Sequence, residues 1–230
     1  MIGSAMKSLF KSSARELKKK ISKTSEDDEF ATPLGLRMGA AVDIDTLPLR
    51  MHVDDLHMPL PDITIIIVAQ GYIDLGDGTY VHRYYAEDDA MIQVLTVNGM
   101  DDQHVKETTL YMPYESYYPG SEGEWAQWTA KGGRIGQTTY GLDDGSKFER
   151  IWFDDTDGYA EPVTFWEEVY EDPESDEHSE ILHRAMLYGR NLEDGKKNEY
   201  LMVSVESCDG EETVEVMIGV DLELSMLKVI

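Results

Sequence analysis

Asn198–Val220, NEYLMVSVESCDGEETVEVMIGV, is the stretch that decides the fold class of this chain. Apolar residues occupy alternate positions on both of its arms, at Leu201, Val203 and Val205 and then at Val214, Val216 and Ile218. Period-two alternation is typical of half-buried antiparallel strands. Asp209-Gly210 stands between the arms, and an Asp-Gly dipeptide tolerates the positive φ that a tight hairpin turn requires. The stretch therefore predicts a β-hairpin.

The same pattern of strand-like runs and turn dipeptides extends over most of the chain. Further turn dipeptides occur at 77–78, 98–99, 144–145, 157–158 and 194–195. The runs with strand character are Ile63–Leu75, Thr79–Tyr85, Ala90–Val97, Gln137–Leu142, Lys147–Phe153, Val163–Tyr170 and Ile181–Asn191. The last run also fits a helical period, so both interpretations stay open for it. We predict a mainly β (or α+β) fold of antiparallel meander sheets with few helices, arranged as a sandwich, a curled barrel-like sheet or two adjoining meanders.

One segment inside this β body is predicted to be helical. Ser121 precedes the run 122–131, and Glu124 stands three residues after it, which is the spacing of a capping box. Gly132-Gly133 would end the helix. We place the acidic antiparallel β body at 33–230, and a division into two subdomains near 121–136 stays open.

The charge of the chain is divided along its length. Residues 1–23 hold seven basic residues and one acidic residue, a net charge of +6, whereas the remainder holds 13 basic and 45 acidic residues, a net charge of −32. Helical spacing places the apolar residues of Met6–Lys23 on one face, so we predict a basic amphipathic helical arm at 1–23, with 1–5 resembling a cloning remnant. An acidic linker follows at 24–32. The residues predicted to bind a membrane or a partner are Lys7, Leu9, Phe10, Lys11, Arg15, Leu17, Lys18 and Ile21.

The composition narrows the class of partner and the compartment. An acidic body repels phosphate groups, so we expect no nucleic-acid partner. The single cysteine, Cys208, permits no disulfide within the chain and indicates a reducing compartment. No apolar block follows the N-terminal charges, and the seven-residue apolar run at 63–69 is too short to span a bilayer. We expect a cytoplasmic protein whose arm is compatible with a peripheral position at the inner membrane.

The candidate motifs for metal or phosphate binding fail on their spacing. Asp154–Gly158 resembles part of a calcium loop, but Phe153 and Thr164 occupy positions where that loop needs acidic ligands. Two histidine pairs have a spacing of five residues, which differs from that of a zinc-binding helix, so we interpret them as surface or structural residues: His52 with His57, and His178 with His183. The run at 131–136 lacks the glycine spacing of a phosphate-binding loop. We predict no catalytic residue, no metal and no cofactor.

Tyrosines cluster in one part of the chain. Eight of the thirteen lie within 72–118, and the sequence at 114–118 reads YESYY. An exposed aromatic strip could bind a sugar, a peptide or a partner strand, so Tyr114, Tyr117 and Tyr118 are a candidate recognition surface. Core packing and cross-strand aromatic pairs would explain the cluster equally well.

Three stretches carry a resemblance to a known family. They are Thr32–Asp45 (TPLGLRMGAAVDID), Gly71–Gly76 (GYIDLG) and Tyr80–Tyr85 (YVHRYY). Their pattern and order resemble the YjfK-like family of bacterial proteins of unknown function, over about 33–190. The resemblance implies a cytoplasmic bacterial protein encoded near a phage-shock-protein-A-like membrane-stress protein and small membrane proteins, which favours a membrane-associated assembly. It implies no activity and no active-site residues.

Three functional hypotheses follow from these observations. The first is a non-enzymatic accessory or interaction protein linked to a membrane-associated or membrane-stress assembly, with an unknown protein partner and an anionic membrane surface as the target of the arm. The second is an enzyme or small-ligand binder whose site combines dispersed carboxylates with His82 or His104. The third is a carbohydrate-type binding module that uses exposed tyrosines.

Overall fold

The structure is a computed structural model, and it describes residues 32–192, 195 and 197–230. The predicted arm at 1–23 and the linker up to residue 31 lie outside these residues, as does Asp194 of one predicted turn. Within the described ranges, no helix is both long enough and apolar enough to cross a bilayer.

Most of the regular structure consists of antiparallel strands. In chain order the strands are β1 (Ala41–Ile44), β2 (Thr64–Gly76), β3 (Thr79–Ala86), β4 (Met91–Val97), β5 (Val105–Tyr117), β6 (Thr139–Gly141), β7 (Lys147–Arg150), β8 (Val163–Tyr170), β9 (Ser179–Asn191), β10 (Asn198–Cys208), β11 (Glu211–Asp221) and β12 (Leu227–Val229). The α-helices are α1 (Leu47–Arg50) and α2 (Glu122–Thr129). Short 3₁₀ turns occupy Pro33–Gly35, Asp102–His104 and Leu224–Met226.

Eight of these strands close into a barrel. The ring runs β2–β3–β4–β5–β11–β10–β9–β8 and returns to β2. Its halves are two four-stranded meanders, β2–β5 and β8–β11, which join through the pairs β5–β11 and β2–β8. β1 and β12 extend the sheet beside the start of β2, and β7 and β6 extend it beside the end of β9. The mainly β, antiparallel prediction is confirmed, and the arrangement left open is a closed barrel. The division near 121–136 stays a prediction.

The burial pattern and one contact across the barrel identify its inner face. β3 and β10 are four strands apart in a ring of eight, so their side chains can meet only through the interior. Arg83 Nη2 lies 3.5 Å from Met202 Sδ, and this contact places both side chains inside. On β8, Phe165 and Glu167 are buried, whereas Trp166 between them is exposed. The inner face therefore carries charged as well as apolar side chains.

The outer face of the barrel wall carries a large apolar layer. Its fully buried members include Ile92, Val94, Leu110, Val203 and Ile218. The connection between β5 and β8 covers part of this layer, because Trp128 of α2 contacts Tyr117, with ring centroids 4.6 Å apart, and Tyr140 of β6 contacts Tyr188 at 5.6 Å. Apolar burial contributes about 25 cal/mol per Å², so this covering stabilises the wall from outside.

Two of the predicted turn dipeptides form tight hairpin turns. Asp77 and Gly78 have φ values of 51° and 73°, and Asp209 and Gly210 have 51° and 85°. Both central residues of each turn are left-handed, as a type I′ turn requires. The sequence of Asn198–Val220 therefore forms the hairpin β10–β11, as predicted.

The N-terminus of α2 follows the predicted capping pattern. Ser121 Oγ accepts a hydrogen bond from the Glu124 amide, and Glu124 Oε2 accepts one from the Gly120 amide. The helix ends at Thr129, two residues before the predicted end.

Several strand predictions differ from the structure. The run 181–191 lies within the strand β9, which confirms its strand interpretation and excludes the helical alternative. The strands predicted at 137–142 and 147–153 are shorter in the structure, where they are β6 and β7. β7 ends at Arg150, whose guanidinium donates to the carbonyl oxygens of Phe153 and Gly158 and so holds a loop in place of a longer strand. The thirteen-residue strand β5 was not predicted. It contains Pro113, which lies beside a β-bulge opposite β11.

Candidate functional site

Four polar side chains meet inside the barrel and form what we name the inner cluster: Arg83 and Tyr85 of β3, Glu167 of β8 and His183 of β9. Arg83 Nη1 donates to Glu167 Oε2 and the Tyr85 hydroxyl donates to Oε1, both at 2.6 Å. His183 Nε2 lies 2.8 Å from Glu167 Oε2. Glu167 is 0% exposed, so one fully buried carboxylate serves three partners.

A glycine on β2 makes room for this carboxylate. Gly71 pairs with Arg83 of β3 on one side and with Val169 of β8 on the other. A Cβ at this position would lie 1.8 Å from Glu167 Oε1 and 3.2 Å from Arg83 Cβ. Both distances are shorter than normal contacts, so any side chain at position 71 would displace the ion pair.

The partners decide the charge state of the inner cluster. Burial by itself raises the pKa of Glu167, but Arg83, His183 and Tyr85 together lower this pKa to about 2. Burial by itself lowers the pKa of His183, but the contacts with Glu167 and Glu206 raise it above its ordinary value. Burial and the neighbouring Glu167 raise the pKa of Tyr85 far above its usual range. The cluster is therefore a buried ionic network around an ionised Glu167.

The surroundings of the inner cluster favour a structural role. Arg83 Nε donates to Gln93 Oε1 at 3.2 Å, and His183 Nδ1 lies 3.1 Å from Ser204 Oγ. The Phe165 ring stacks on the His183 ring at 4.9 Å. Removing one partner of such a buried pair leaves an uncompensated charge, so the network holds one arrangement of strands. The low pKa of Glu167 makes this carboxyl a poor general acid near neutral pH.

A second group of charged side chains joins the segment after α1 to the barrel wall, and we name it the strap cluster: Asp55, His57, Asp144, Ser146, Arg190 and Glu199. Glu199 Oε1 accepts hydrogen bonds from the amides of His57 and Met58 at 2.7 and 2.8 Å. Glu199 Oε2 lies 3.0 Å from His57 Nδ1 and accepts from Arg190 Nε at 2.9 Å. Arg190 Nη1 donates to Asp55 Oδ1 at 3.0 Å. Glu199 is fully buried, so it anchors this segment to β10.

The far side of the His57 ring faces the turn before β7. His57 Nε2 lies 2.9 Å from Ser146 Oγ and 2.9 Å from Asp144 Oδ2. Hydrogen bonds from the Ser146 amide and hydroxyl, followed by the His57 ring, lower the pKa of Asp144. Serine, histidine and a buried carboxylate in this order resemble a nucleophile with its base and orienting acid. However, a ring nitrogen that donates its proton to Asp144 cannot at the same time accept the serine proton.

The predicted site residues fall into separate environments. Tyr118 is 74% exposed, whereas Tyr117 packs on Trp128 and lies 5.6 Å from the Arg134 guanidinium. Tyr114 is half-buried against the core. The structure therefore does not bring the three tyrosines together as one exposed strip, and their recognition role stays a prediction. The predicted arm residues lie outside the described part of the chain.

The histidines considered from the sequence are also dispersed. Burial lowers the pKa of His82 to about 4, and its Nε2 lies 3.3 Å from Thr96 Oγ1 on the outer face. His104 Nδ1 lies 2.7 Å from Asp101 Oδ1 at the surface. Among the residues that the structure describes, no group of three or more His, Cys, Asp or Glu is arranged to hold a metal ion.

Sequence reasoning missed both clusters. Arg83 and Glu167 are 84 residues apart, and His57 and Glu199 are 142 residues apart, so no local spacing relates them. The available signal was a charged residue at an inward position of an otherwise apolar strand, as at Arg83 and Glu167. Such a position indicates a buried partner without identifying it.

Comparison with known proteins identifies similar sequences of unassigned function. The family described as Protein of unknown function (DUF2491) matches residues 7–228. The chain is 28% identical over 205 residues to the Uncharacterized protein YjfK of Escherichia coli (strain K12), an alignment that covers 86% of this chain and 90% of that protein. No solved structure matches.

Proposed function

The chain belongs to the DUF2491 family of proteins of unknown function, and we propose that it is a non-enzymatic accessory protein with two binding surfaces of opposite charge. The basic arm attaches to an anionic membrane surface, and the acidic barrel body binds a protein partner. This proposal places the protein in the cytoplasm, in peripheral contact with the inner membrane.

The division of charge along the chain is the observation that carries this proposal. The first 23 residues have a net charge of +6, and the remainder has a net charge of −32. The family match begins at residue 7 and so includes most of the basic segment. A lysine or arginine near an anionic membrane surface contributes about 1 kcal/mol, and apolar side chains add burial in the interface. The negative charges of that membrane surface would repel the acidic body and keep it at a distance.

The described body supports a scaffold role in this proposal. In the inner cluster, the buried charges pair with one another. The part of the outer wall that stays exposed, as at Trp166 of β8, can carry binding residues. We therefore assign the binding functions to the arm and to the outer surface of the body.

Co-sedimentation with lipid vesicles tests the arm. We expect the full chain to pellet with vesicles that contain anionic lipid and to remain in the supernatant with neutral vesicles. The triple substitution K7Q/K11Q/K18Q removes about 3 kcal/mol of attraction, which corresponds to a loss on the order of 100-fold in partitioning. Added salt should weaken binding of the unsubstituted chain.

The matched control removes the same charge from the body. Lys131, Lys147 and Lys228 are exposed, so K131Q/K147Q/K228Q changes the net charge by the same amount without touching the arm. We expect this variant to pellet as strongly as the unsubstituted chain or slightly more weakly, because the substitutions leave the arm intact and add net negative charge to a body that the anionic surface already repels. Equal losses in the two triple variants would contradict the proposal.

The strap cluster favours a second candidate, acyl transfer through Ser146. Its supporting observation is the Ser146 Oγ–His57 Nε2 distance of 2.9 Å, with the buried Glu199 on the other side of the ring. This candidate requires that Asp144 first move away from His57 Nε2, so that this nitrogen can accept the serine proton. A fluorophosphonate probe that labels Ser146 in the full chain, and fails to label the S146A variant, would support this candidate. Absence of labelling over several hours at neutral pH would eliminate it. The sugar-binding hypothesis has only the exposed Tyr118 in its favour and stays a prediction.

A further inference from the structure

An exposed tryptophan lies on the outer face of β8. Trp166 is 52% exposed, whereas Trp128 and Trp152 are buried and Trp125 packs partly against the core. The register places Trp166 opposite Leu182 of β9, and Leu182 opposite Ser207 of β10. A shallow depression beside these residues is completed by His178–Glu180 and by the β10–β11 turn. We name this surface the Trp166 face, formed by Trp166, Glu168, Glu180, Leu182 and the turn 207–210.

The charge on the Trp166 face is negative and lacks a cationic partner in the described chain. Glu168 stands directly opposite Glu180, and like charges at such a cross-strand position destabilise a sheet. No salt bridge among the described residues involves either carboxylate, and Arg184, further along β9, pairs with Glu212 at 2.8 Å. Glu168 Oε2 accepts a hydrogen bond from the Tyr170 hydroxyl at 3.0 Å. The adjoining segment at 171–180 reads EDPESDEHSE, with six acidic residues and neither lysine nor arginine.

We propose that the Trp166 face binds a basic segment of a partner protein, in which lysine or arginine side chains flank an apolar one. Tryptophan is among the residues that contribute most to protein interfaces, and its ring attracts a cation placed over it. Leu182 supplies apolar contact beside the ring, and Glu168 and Glu180 supply the opposite charge. A bound cation would also relieve the repulsion between the two carboxylates. This inference rests on the proposed function for its protein partner and names the site and the chemistry of that partner.

Position favours an occupant from another molecule over this chain's own arm. The Leu34 amide donates to Asp102 Oδ1 in the β4–β5 connection, so the described chain begins near that end of the barrel. The β8–β9 and β10–β11 turns lie at the other end, because adjacent strands alternate in direction around the ring. β10 and β11 have eleven residues each and span about 35 Å, whereas residues 24–31 reach at most about 28 Å when fully extended, so the linker alone cannot carry the start of the arm to that end.

Peptide titration onto the full chain tests the proposal. The first probe is the synthetic peptide KLKKFLKKLK, which is unrelated to this chain's arm and combines lysines with leucine and phenylalanine, and the second is decalysine, which carries charge alone. We expect the amphipathic peptide to bind at 150 mM salt with a change in tryptophan fluorescence, and decalysine to bind at least tenfold more weakly. W166A and E168Q/E180Q should each weaken binding of the amphipathic peptide at least tenfold.

The control variant is E87Q/E161Q, which removes two exposed carboxylates from other places on the body. Its peptide affinity should stay within twofold of the unsubstituted chain, and circular dichroism establishes that each variant is folded. Equal affinity of W166A, E168Q/E180Q and the control would overturn the proposal, as would no binding of either peptide at 150 mM salt. Self-association of the full chain that K7Q/K11Q/K18Q abolishes would also overturn it, because the occupant would then be a second copy. The vesicle experiment reads the arm alone, so the two proposals can fail separately.

Discussion

Replacement of Glu167 by glutamine should destabilise the barrel by about 3 kcal/mol. The pKa of Glu167 is about 2, against an ordinary value of 4.5, and this difference corresponds to about 3 kcal/mol of preference for the ionised form in the folded state. The substitution also leaves Arg83, which is 4% exposed, without a counter-charge. Removing one member of a buried ion pair costs about 3–5 kcal/mol. The two figures agree in size, so we expect a loss of about 3–4 kcal/mol at pH 7.

The pH dependence of this effect has a definite sign. A carboxyl whose pKa is lower in the folded state contributes stability that is fully present above its unfolded pKa and disappears as the pH falls toward the folded value. For Glu167 the window runs from about pH 4.5 down to about pH 2. The difference in stability between the unsubstituted chain and E167Q should therefore shrink progressively across this window.

Guanidinium unfolding followed by circular dichroism measures the change, with the exposed E87Q as the control that should shift stability by less than about 0.5 kcal/mol. A double-mutant cycle with R83M isolates the pair, and the double variant should lose at least about 2 kcal/mol less than the sum of the single losses. A loss below about 1 kcal/mol in E167Q, or additive losses in the cycle, would refute the view that the buried pair holds the strands.

The other predictions concern a close packing contact, a histidine and the strap. Gly71→Ala should lower the melting temperature strongly or prevent folding, because its Cβ would lie 1.8 Å from Glu167 Oε1, whereas Gly123→Ala in α2, with open space around it, should be neutral or stabilising. The pKa of His183 is raised in the folded state, so the stability that its charged ring contributes is fully present below about pH 6.5 and is lost as the pH rises through the pKa of the folded state. Between pH 6.5 and 9, the melting temperature of H183Q should therefore fall less than that of the unsubstituted chain. His57→Ala should cost about 1–3 kcal/mol and speed hydrogen exchange at residues 47–60; unchanged exchange there would contradict the anchoring role.

Local sequence was sufficient for the hairpins because their signals are short in range. Alternating valines and an Asp-Gly dipeptide predict β10–β11, and Ser121 with Glu124 predicts the start of α2. β5 was missed because Pro113 interrupts a strand-like pattern, and only the bulge opposite it, which involves β11, makes the proline acceptable.

Closure of the barrel and the inner cluster lay beyond local reasoning for a different reason. The choice between a sandwich and a barrel depends on whether β2 pairs with β8, and their facing residues are about a hundred positions apart. Arg83 and Glu167 each look like charged interruptions of a strand, and only closure makes them partners. The strap cluster depends on Glu199 meeting a segment that precedes the barrel.

The β2–β8 junction has only three residue pairs, at Gln70–Tyr170, Gly71–Val169 and Tyr72–Glu168. This junction is therefore the place where the barrel closes. The ion pair between Arg83 of β3 and Glu167 of β8 spans it, because β2 lies between these two strands. β2 and β8 belong to different meanders, so each meander can assemble locally before the barrel closes. Closure joins residues far apart in the sequence, and the entropy cost of closing such a long loop makes it the slow step of folding. Loss of this ion pair would then mainly raise the rate at which the barrel opens. A weakened barrel would separate between β2 and β8, while both meanders kept their hairpins.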